Sequence, residues 1–309
     1  MSRPRKIALA AAVGSGLTLS GLYGFLVGEA LLARRAIGPA DSRPPSPDGS
    51  YGADLPGPTI KCLVLGDSAA VGYGMERADA TPPALIGIGL SHVLGVEVEV
   101  RSLAVVGART SDLNPQIDQL DGFSPDVTVI IVGTNDVTHQ VPPHVSARQL
   151  GAAVARLIDL GSEVVVGTCP DLGTIKPIMQ PLRAIARGLS RMLARRQTVA
   201  AVEAGGRAVS LGSLLGVLFM EKRDEMFGVD SFHPSATGYA NMVSVLIPAI
   251  AASMRERERE QSVAYVGPPR DVMSLNDAAS EAVHHAGTQV VHEEGQGRRW
   301  ATVLRRRRT

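Results

Sequence analysis

The sequence of 309 residues contains only two cysteines, Cys62 and Cys169. Two thiols do not make the disulfide framework that holds small secreted domains together. Cys62 lies in a predicted core strand and Cys169 at the end of another, so we expect both to be small apolar residues without chemical function. The fold then depends on a hydrophobic core, and a hydrophobic content of 45% is ordinary for a globular protein.

An excess of either charge is also missing. The chain has 31 basic and 30 acidic residues, which gives a net charge of +1. This balance provides no electrostatic attraction for nucleic acid, so we do not expect nucleic acid as a partner. The length fits one α/β domain with extensions at its ends.

Motifs of several enzyme classes are absent. Ser68 lacks the Gly-x-Ser-x-Gly elbow of α/β-hydrolases. The segment Gly72-Tyr73-Gly74 lacks the third glycine of a dinucleotide fingerprint, and no Walker A lysine occurs. The histidines do not show the spacing of metal ligands. We therefore expect neither a cofactor nor a metal.

The longest apolar stretch lies near the N-terminus. Between Ile7 and Ala33 the only charged residue is Glu29, and three basic residues precede the stretch. About 20 apolar residues in a helix span a bilayer core. Residues 1–37 therefore predict a membrane anchor, and the basic residues before it place the body outside the cytoplasm.

Two other interpretations of this stretch remain. A cleaved signal peptide would release the protein, although the run is longer than usual and no Ala-x-Ala site follows it. The stretch could also be an amphipathic or buried helix docked on the domain. Residues 38–58 are rich in Pro, Gly and Ser and predict a linker, so we expect the folded domain to span residues 59–260.

The predicted domain alternates between short β-rich runs and longer runs of helical periodicity. The predicted strands are Thr59–Leu65, Val96–Val100, Val127–Val132, Glu163–Gly167 and Ala208–Leu211. Strands separated by helices imply right-handed crossovers and a parallel sheet that is covered on both faces. The expected fold is a three-layer α/β/α sandwich with a five-stranded, mostly parallel sheet. Its ligand site should lie at the carboxyl ends of the strands.

The chain after the last predicted helix is different in character. That helix runs from Ser235 to about Glu260. Residues 261–309 are polar with little periodicity, so we expect a largely disordered tail.

Polar residues follow the predicted strands at the edge where a ligand site is expected. Ser68 follows the first strand, and a serine needs a base to act as a nucleophile at neutral pH. His233 is the candidate base, and Asp230 lies three residues earlier, where its carboxylate can orient the imidazole. The three residues predict a catalytic triad.

Attack by a serine on an ester creates an oxyanion, which needs hydrogen-bond donors. The backbone N–H groups of Ser68 and Gly107 and the side-chain amide of Asn135 are the candidates. Gly107 follows the second predicted strand and allows a substrate to approach the backbone. Asn135 follows the third strand and supplies a neutral donor.

These residues resemble the SGNH hydrolases, also called GDSL esterases and lipases, whose four blocks contribute Ser, Gly, Asn and His in this order. Gly66-Asp67-Ser68, Gly107, Gly133-Thr134-Asn135-Asp136 and Asp230-Ser231-Phe232-His233-Pro234 match the blocks. Two positions depart from the common pattern, where Ala69 replaces a leucine and Ser102 replaces an asparagine. The resemblance implies a flavodoxin-like sheet, no metal, and activity on esters or acyl groups of lipids, carbohydrates or small thioesters.

Three functional hypotheses follow. The first is a membrane-anchored or exported serine esterase that hydrolyses lipid or acylated-carbohydrate esters with short to medium acyl chains. The second is an acyltransferase that uses the same site to modify an envelope glycan. The third is a non-catalytic binding module of the envelope.

Overall fold

The computed structural model describes residues 24–33, 35, 38, 44–212, 214–260, 272–284, 289–292 and 300–304. The predicted membrane anchor lies mostly outside the described residues. Its last part forms the helix α1 (Gly24–Ala33).

A sheet of nine strands runs through the described residues. The strands are β1 (Gly49–Tyr51), β2 (Ile60–Gly66), β3 (Val98–Ser102), β4 (Val127–Ile131), β5 (Glu163–Gly167), β6 (Arg207–Val209), β7 (Val272–Ser274), β8 (Gln289–His292) and β9 (Trp300–Leu304). Five of them, β2 to β6, correspond to the predicted strands and pair in parallel in the order β3-β2-β4-β5-β6. This is the flavodoxin-like order, so the predicted parallel sheet is confirmed. The predicted number of five strands is wrong, because short strands at both edges extend the sheet to nine among the described residues.

Helices cover both faces of the sheet. They are α2 (Ser68–Val71), α3 (Pro82–Leu94), α4 (Leu113–Ile117), α5 (Thr134–Thr138), α6 (Pro143–Asp159), α7 (Leu182–Glu203), α8 (Leu214–Glu221), α9 (Arg223–Met226), α10 (Ala236–Glu260) and α11 (Leu275–Ala282). Side chains alternate along β2, so Cys62 and Val64 pack with α3 and α10. Leu63 and Leu65 pack on the other face with α4, α6 and α7. The predicted three-layer sandwich is confirmed.

One helix among the described residues is long and apolar enough to cross a bilayer, the stretch Ala236–Arg257 of α10. About 61% of its most apolar window is buried inside the protein. Tyr239, Leu246 and Ile250 are fully buried against the sheet. This helix is therefore a core helix of the domain.

The folded domain begins earlier than predicted. Residues 44–58 do not form a free linker, because β1 pairs antiparallel with β3 at the edge of the sheet. Tyr51 packs against the core, and Oδ1 of Asp48 accepts a hydrogen bond from the N–H of Ser102 at 2.8 Å. A high content of Pro, Gly and Ser does not prevent a three-residue edge strand when one aromatic side chain anchors it.

The predicted disordered tail, residues 261–309, lies partly outside the described residues, but its described parts, residues 272–284, 289–292 and 300–304, are folded. Strand β8 pairs antiparallel with β6, and β9 and β7 extend the sheet beyond it. Leu275, Ala278, Ala282 and Val290 are buried in the same cluster as α6 and α7. These pieces cover the edge of β6, which would otherwise expose unpaired backbone groups.

Candidate active site

Ser68 lies directly after β2 at the carboxyl edge of the sheet. Gly66, with φ of +137°, ends β2, and a Cβ there would lie 1.9 Å from the carbonyl oxygen of Ile131. Asp67 caps α2 by accepting a hydrogen bond from the N–H of Ala69 at 2.9 Å. Ser68 is the first residue of α2, so its N–H has no acceptor within the helix. The order of the parallel strands reverses at β2, which is where such sheets bind ligands.

The hydroxyl of Ser68 contacts a histidine from a distant part of the chain. Oγ of Ser68 lies 3.0 Å from Nε2 of His233, and Nδ1 of His233 lies 2.6 Å from Oδ2 of Asp230. An ionised carboxylate only accepts hydrogen bonds, so the hydrogen of the neutral imidazole is on Nδ1. Nε2 is then able to accept the hydroxyl proton of Ser68. The structure brings the three predicted triad residues into one hydrogen-bonded chain.

The turn that carries Asp230 and His233 is held by its own contacts. Oδ1 of Asp230 accepts hydrogen bonds from the N–H groups of Phe232 at 2.9 Å and His233 at 3.0 Å. The ring of Tyr73 lies 4.4 Å from the imidazole, and the ring of Phe232 lies 4.9 Å from it. These contacts bury His233 and limit the rotation of its ring.

The charge of Asp230 follows from the same contacts. Burial raises the pKa of this carboxyl, but hydrogen bonds from the His233 ring and from the N–H groups of Phe232 and His233 outweigh burial. The pKa of Asp230 therefore lies below its ordinary value. The carboxylate is ionised at neutral pH and stabilises the Nδ1–H tautomer of His233.

The predicted oxyanion donors come from neighbouring segments at this edge. The N–H of Val105 donates to the carbonyl of Gly66 at 3.1 Å, and the side-chain amide of Asn135 donates to the carbonyl of Ala108 at 2.9 Å. Gly107 lies in the chain between the residues that make these two hydrogen bonds. Its φ is +83°, and the space where a side chain would lie is open. Asn135 lies in the first turn of α5, directly after β4. The segments of Ser68, Gly107 and Asn135 are therefore linked to one another.

Two buried carboxyl groups lie beneath the site. Oδ2 of Asp136 accepts hydrogen bonds from the N–H and the hydroxyl of Thr110, both at 3.0 Å. Burial raises the pKa of Asp67 to about 6, and the charge of Asp136 raises it further. Hydrogen bonds from the N–H groups of Ala69 and Gly133 lower this pKa, as does the charge of His233, but they do not cancel the effect of burial. In the described ranges no group of three or more His, Cys, Asp or Glu is arranged to hold a metal ion.

The pKa of Asp67 predicts how stability depends on pH. A carboxyl whose pKa is raised in the folded state favours folding below the pKa of the unfolded chain, near 3.8, and this contribution disappears as pH rises through about 6. We expect it to amount to about 2–3 kcal/mol. Asp67→Asn has no such ionisation, so its free energy of unfolding should decline less between pH 4 and pH 7 than that of the wild type.

Urea unfolding at pH 4.5 and pH 7.5 measures this difference. Asp159→Asn is the matched control, because that carboxylate is exposed at the end of α6. A pH dependence of Asp67→Asn equal to that of the wild type would contradict the buried ionisation of Asp67.

An apolar pocket opens beside Ser68 and His233. Its cavity volume is about 50 Å³, and the pocket is partly open to solvent. Its apolar lining includes Ile131, Leu172, Ile175, Leu211, Phe227 and Met242. Ile175 lines this pocket, and Ile178 packs in the same hydrophobic cluster as Ile175. Met179 is exposed, whereas Leu218, Phe219 and Met226 form a separate cluster with Phe227.

Three positioning residues have no signal in the sequence. The amide of Gln116 accepts from the N–H of Gly66 and donates to its carbonyl, both at 2.9 Å. Gln197 similarly accepts from the N–H of Cys169 and donates to the carbonyl of Val132. Asp171 has a buried carboxylate paired with Arg187 and Arg191, and it holds the pocket wall that contains Leu172. Knowledge of which strand ends lie side by side is needed to find them.

Comparison with known proteins agrees with this geometry. Residues 64–240 match the GDSL-like lipase/acylhydrolase family. A GDSL-like esterase of Mycobacterium tuberculosis is 38% identical over 272 residues, which cover 83% of this chain and 86% of that protein. An arylesterase of Vibrio mimicus is 34% identical over 107 residues, or 34% of this chain and 52% of that protein. The crystal structure of TesA superposes with a TM-score of 0.52 at 19% identity, over 62% of this chain and 99% of that one, and thus shares the fold.

Proposed function

Because the chain belongs to the GDSL-like lipase/acylhydrolase family and is a serine ester hydrolase, we propose that it cleaves its substrates through an acyl-enzyme on Ser68. The observation that carries this proposal is the chain of contacts from Ser68 through His233 to Asp230, with heavy-atom distances of 3.0 and 2.6 Å. A hydroxyl, an imidazole and an ionised carboxylate at these distances are the parts needed for nucleophilic attack with general base assistance.

The proposed reaction has two halves. Oγ of Ser68 attacks the ester carbonyl while Nε2 of His233 takes the hydroxyl proton. The C–O bond to the alcohol then breaks, and the proton passes from Nε2 to the departing oxygen. Water repeats the attack on the acyl-enzyme, and Nε2 returns the proton to Oγ as the carboxylic acid leaves. Each half forms an oxyanion that the donors at Ser68, Gly107 and Asn135 stabilise.

The apolar pocket supports an acyl group as the part of the substrate that lies next to Ser68. Its lining includes Leu211 and Met242, which belong to the core between the sheet and α10. We infer that the pocket takes short to medium acyl chains, because core side chains form part of its wall. We propose that the ester that carries this acyl group is a lipid or an acylated carbohydrate.

We place the enzyme on the outer face of the membrane, anchored through residues 1–37, or in the secreted fraction if that segment is cleaved. The uncharged run from Ile7 to Gly28 and the basic residues before it support this location.

An acyltransferase with the same site is the second candidate. The apolar lining of the pocket favours it, because transfer to a sugar requires that water compete poorly for the acyl-enzyme. The third candidate is a non-catalytic envelope module. The hydrogen-bonded chain of Ser68, His233 and Asp230 argues against this candidate.

The test combines labelling with product analysis on the full-length protein in detergent. Wild type should react with a fluorophosphonate and hydrolyse p-nitrophenyl esters, with the highest kcat/KM for short to medium chains. Adding a sugar acceptor should leave free acid as the main product of a hydrolase, whereas acylated sugar as the main product favours the transferase. Absence of both labelling and turnover would contradict the acyl-enzyme and support the non-catalytic module.

Asn135→Ala should lower kcat for esters by about 10²–10³-fold with little change in KM, because a donor aimed at the oxyanion acts mainly in the transition state. Asn135→Asp keeps the shape but replaces the donor with an acceptor, so it should be at least as impaired. Asn276→Ala, at an exposed position of α11, is the control. Steady-state kinetics that showed a normal kcat for Asn135→Ala would remove Asn135 from the oxyanion hole.

A further inference from the structure

An ordinary surface helix packs its apolar stripe against the protein and exposes its polar residues. The helix α1 has the opposite arrangement. Its one charged residue, Glu29, is 5% exposed and faces the domain. The exposed positions of α1 are all apolar: Gly24, Phe25, Val27, Leu31 and Leu32. Phe25, Leu31 and Leu32 are each more than half exposed, at 56%, 54% and 57%. Water is an unfavourable neighbour for a contiguous face of this kind.

The inward face of α1 is docked on the start of α7. Oε2 of Glu29 accepts a hydrogen bond from the N–H of Leu182, the first residue of α7, at 3.1 Å. The residue before it, Pro181, makes no side-chain cap, so Glu29 supplies the acceptor that this helix end lacks. A carboxylate at a helix N-terminus also interacts favourably with the helix dipole. Ala33 completes the contact by packing in a cluster with Val137 and Ile178.

The docking contact is close to the acyl pocket. The cluster that contains Ala33 also contains Leu172 and Ile175, which line the pocket. Two more exposed apolar side chains lie three residues before and after Leu182, namely Met179, which is 57% exposed, and Ile185, which is 43% exposed. The domain therefore also has exposed apolar side chains close in sequence to the docking contact of α1.

The chain that precedes α1 indicates what covers this face. The 22 residues from Ile7 to Gly28 contain no charge. In helical conformation they would extend about 33 Å, close to the roughly 30 Å of a bilayer core. Glu29 is the first charged residue after this run, and the exposed face of α1 lies where the apolar run meets the domain.

We propose that the exposed face of α1 (Phe25, Val27, Leu31, Leu32), together with Met179 and Ile185, contacts the lipid bilayer, and that Glu29 fixes the domain to the membrane in one orientation. The domain is then not loosely tethered, because the hydrogen bond to Leu182 and the packing of Ala33 hold it against the helix that enters the bilayer. The pocket wall formed by Leu172 and Ile175 stays near the membrane surface.

Depth-dependent quenching in vesicles tests this orientation. Single cysteines are introduced by Leu31→Cys, Met179→Cys and Leu160→Cys in the full-length protein, and each is labelled with an environment-sensitive fluorophore. The native Cys62 and Cys169 are buried and should not label. Leu160 is the control, because it is 51% exposed but lies at the end of α6, before β5, on the opposite edge of the sheet from Ser68.

The labelled proteins are reconstituted into vesicles of phosphatidylcholine and phosphatidylglycerol with brominated acyl chains. We expect the fluorescence at positions 31 and 179 to fall at least twofold relative to unbrominated vesicles, and that at position 160 to remain unchanged. Adding Glu29→Leu should abolish quenching at position 179 and retain it at position 31, because the domain is then released from the anchor. Quenching at position 31 no greater than at position 160, or disulfide-linked dimers through Leu31→Cys, would overturn the proposal.

Turnover of p-nitrophenyl butyrate in the same samples separates this proposal from the proposed function. The labelled variants should hydrolyse this soluble ester within twofold of the wild-type rate, since none of the three positions lies in the catalytic chain. Intact turnover without quenching rejects the membrane contact alone. If the variants are quenched but neither they nor the wild type hydrolyse the ester, the proposed mechanism is rejected and the membrane contact remains supported.

Discussion

Replacing Ser68 with alanine is expected to lower kcat/KM for p-nitrophenyl esters by about 10⁴-fold or more. The variant lacks the oxygen that forms the bond to the acyl group, so the acyl-enzyme route is lost. Residual activity would come only from the oxyanion donors and from substrate binding. The free energy of unfolding should change little, because the substitution removes a single oxygen atom and leaves the N-cap contact of Asp67 with Ala69 intact.

Intact-protein mass spectrometry after treatment with a fluorophosphonate checks this result directly. Wild type should gain one adduct, and Ser68→Ala should gain none. Ser244→Ala is the matched control, because that hydroxyl lies on the exposed face of α10 and contacts only the carbonyl of Asn241 nearby. An adduct on Ser68→Ala, or ester turnover near the wild-type rate, would show that another group is the nucleophile.

Asp230→Asn is expected to lower kcat by about 10²–10⁴-fold. The asparagine keeps an oxygen for the N–H groups of Phe232 and His233, so the turn should persist. Its amide NH₂ would face Nδ1 of His233, which is 2.6 Å from Oδ2 in the wild type. A donor at that position favours the tautomer with hydrogen on Nε2, and this tautomer has no lone pair for the proton of Ser68.

The rate of fluorophosphonate labelling should fall together with kcat, because both depend on the same base. Asp224→Asn, an exposed carboxylate on α9, is the control. Since the pKa of Asp230 lies below its ordinary value, Asp230 should remain ionised through mildly acidic pH. Normal labelling of Asp230→Asn at neutral pH would mean that the carboxylate does not orient the imidazole.

The parallel sheet and the residues at its edge could be predicted because they depend on local patterns. Runs such as Val129–Val132 are apolar at every position, as is typical of a strand buried on both faces. Parallel strands place their carboxyl ends at one edge, so Ser68 and Asn135 were expected to lie together before any distance was known. The position of His233 followed from the need of Ser68 for a base.

The ends of the chain could not be predicted in the same way. Strand β1 contains three residues and owes its position to pairing with β3, and β8 owes its position to the open edge of β6. Their sequences lack a long apolar period because each contributes only a few buried side chains. Composition therefore indicated a linker and a disordered tail where the structure has edge strands.

By itself, the sequence determined the five parallel strands, the crossover helices and the identity of the four blocks around Ser68. The tertiary structure alone decided which distant groups support them: Gln116 on Gly66, Gln197 between two strand ends, and Glu29 on the first turn of α7. The reason is physical. Periodicity reflects which side chains face away from water, whereas a hydrogen bond between segments 153 residues apart in the sequence depends on how those segments pack.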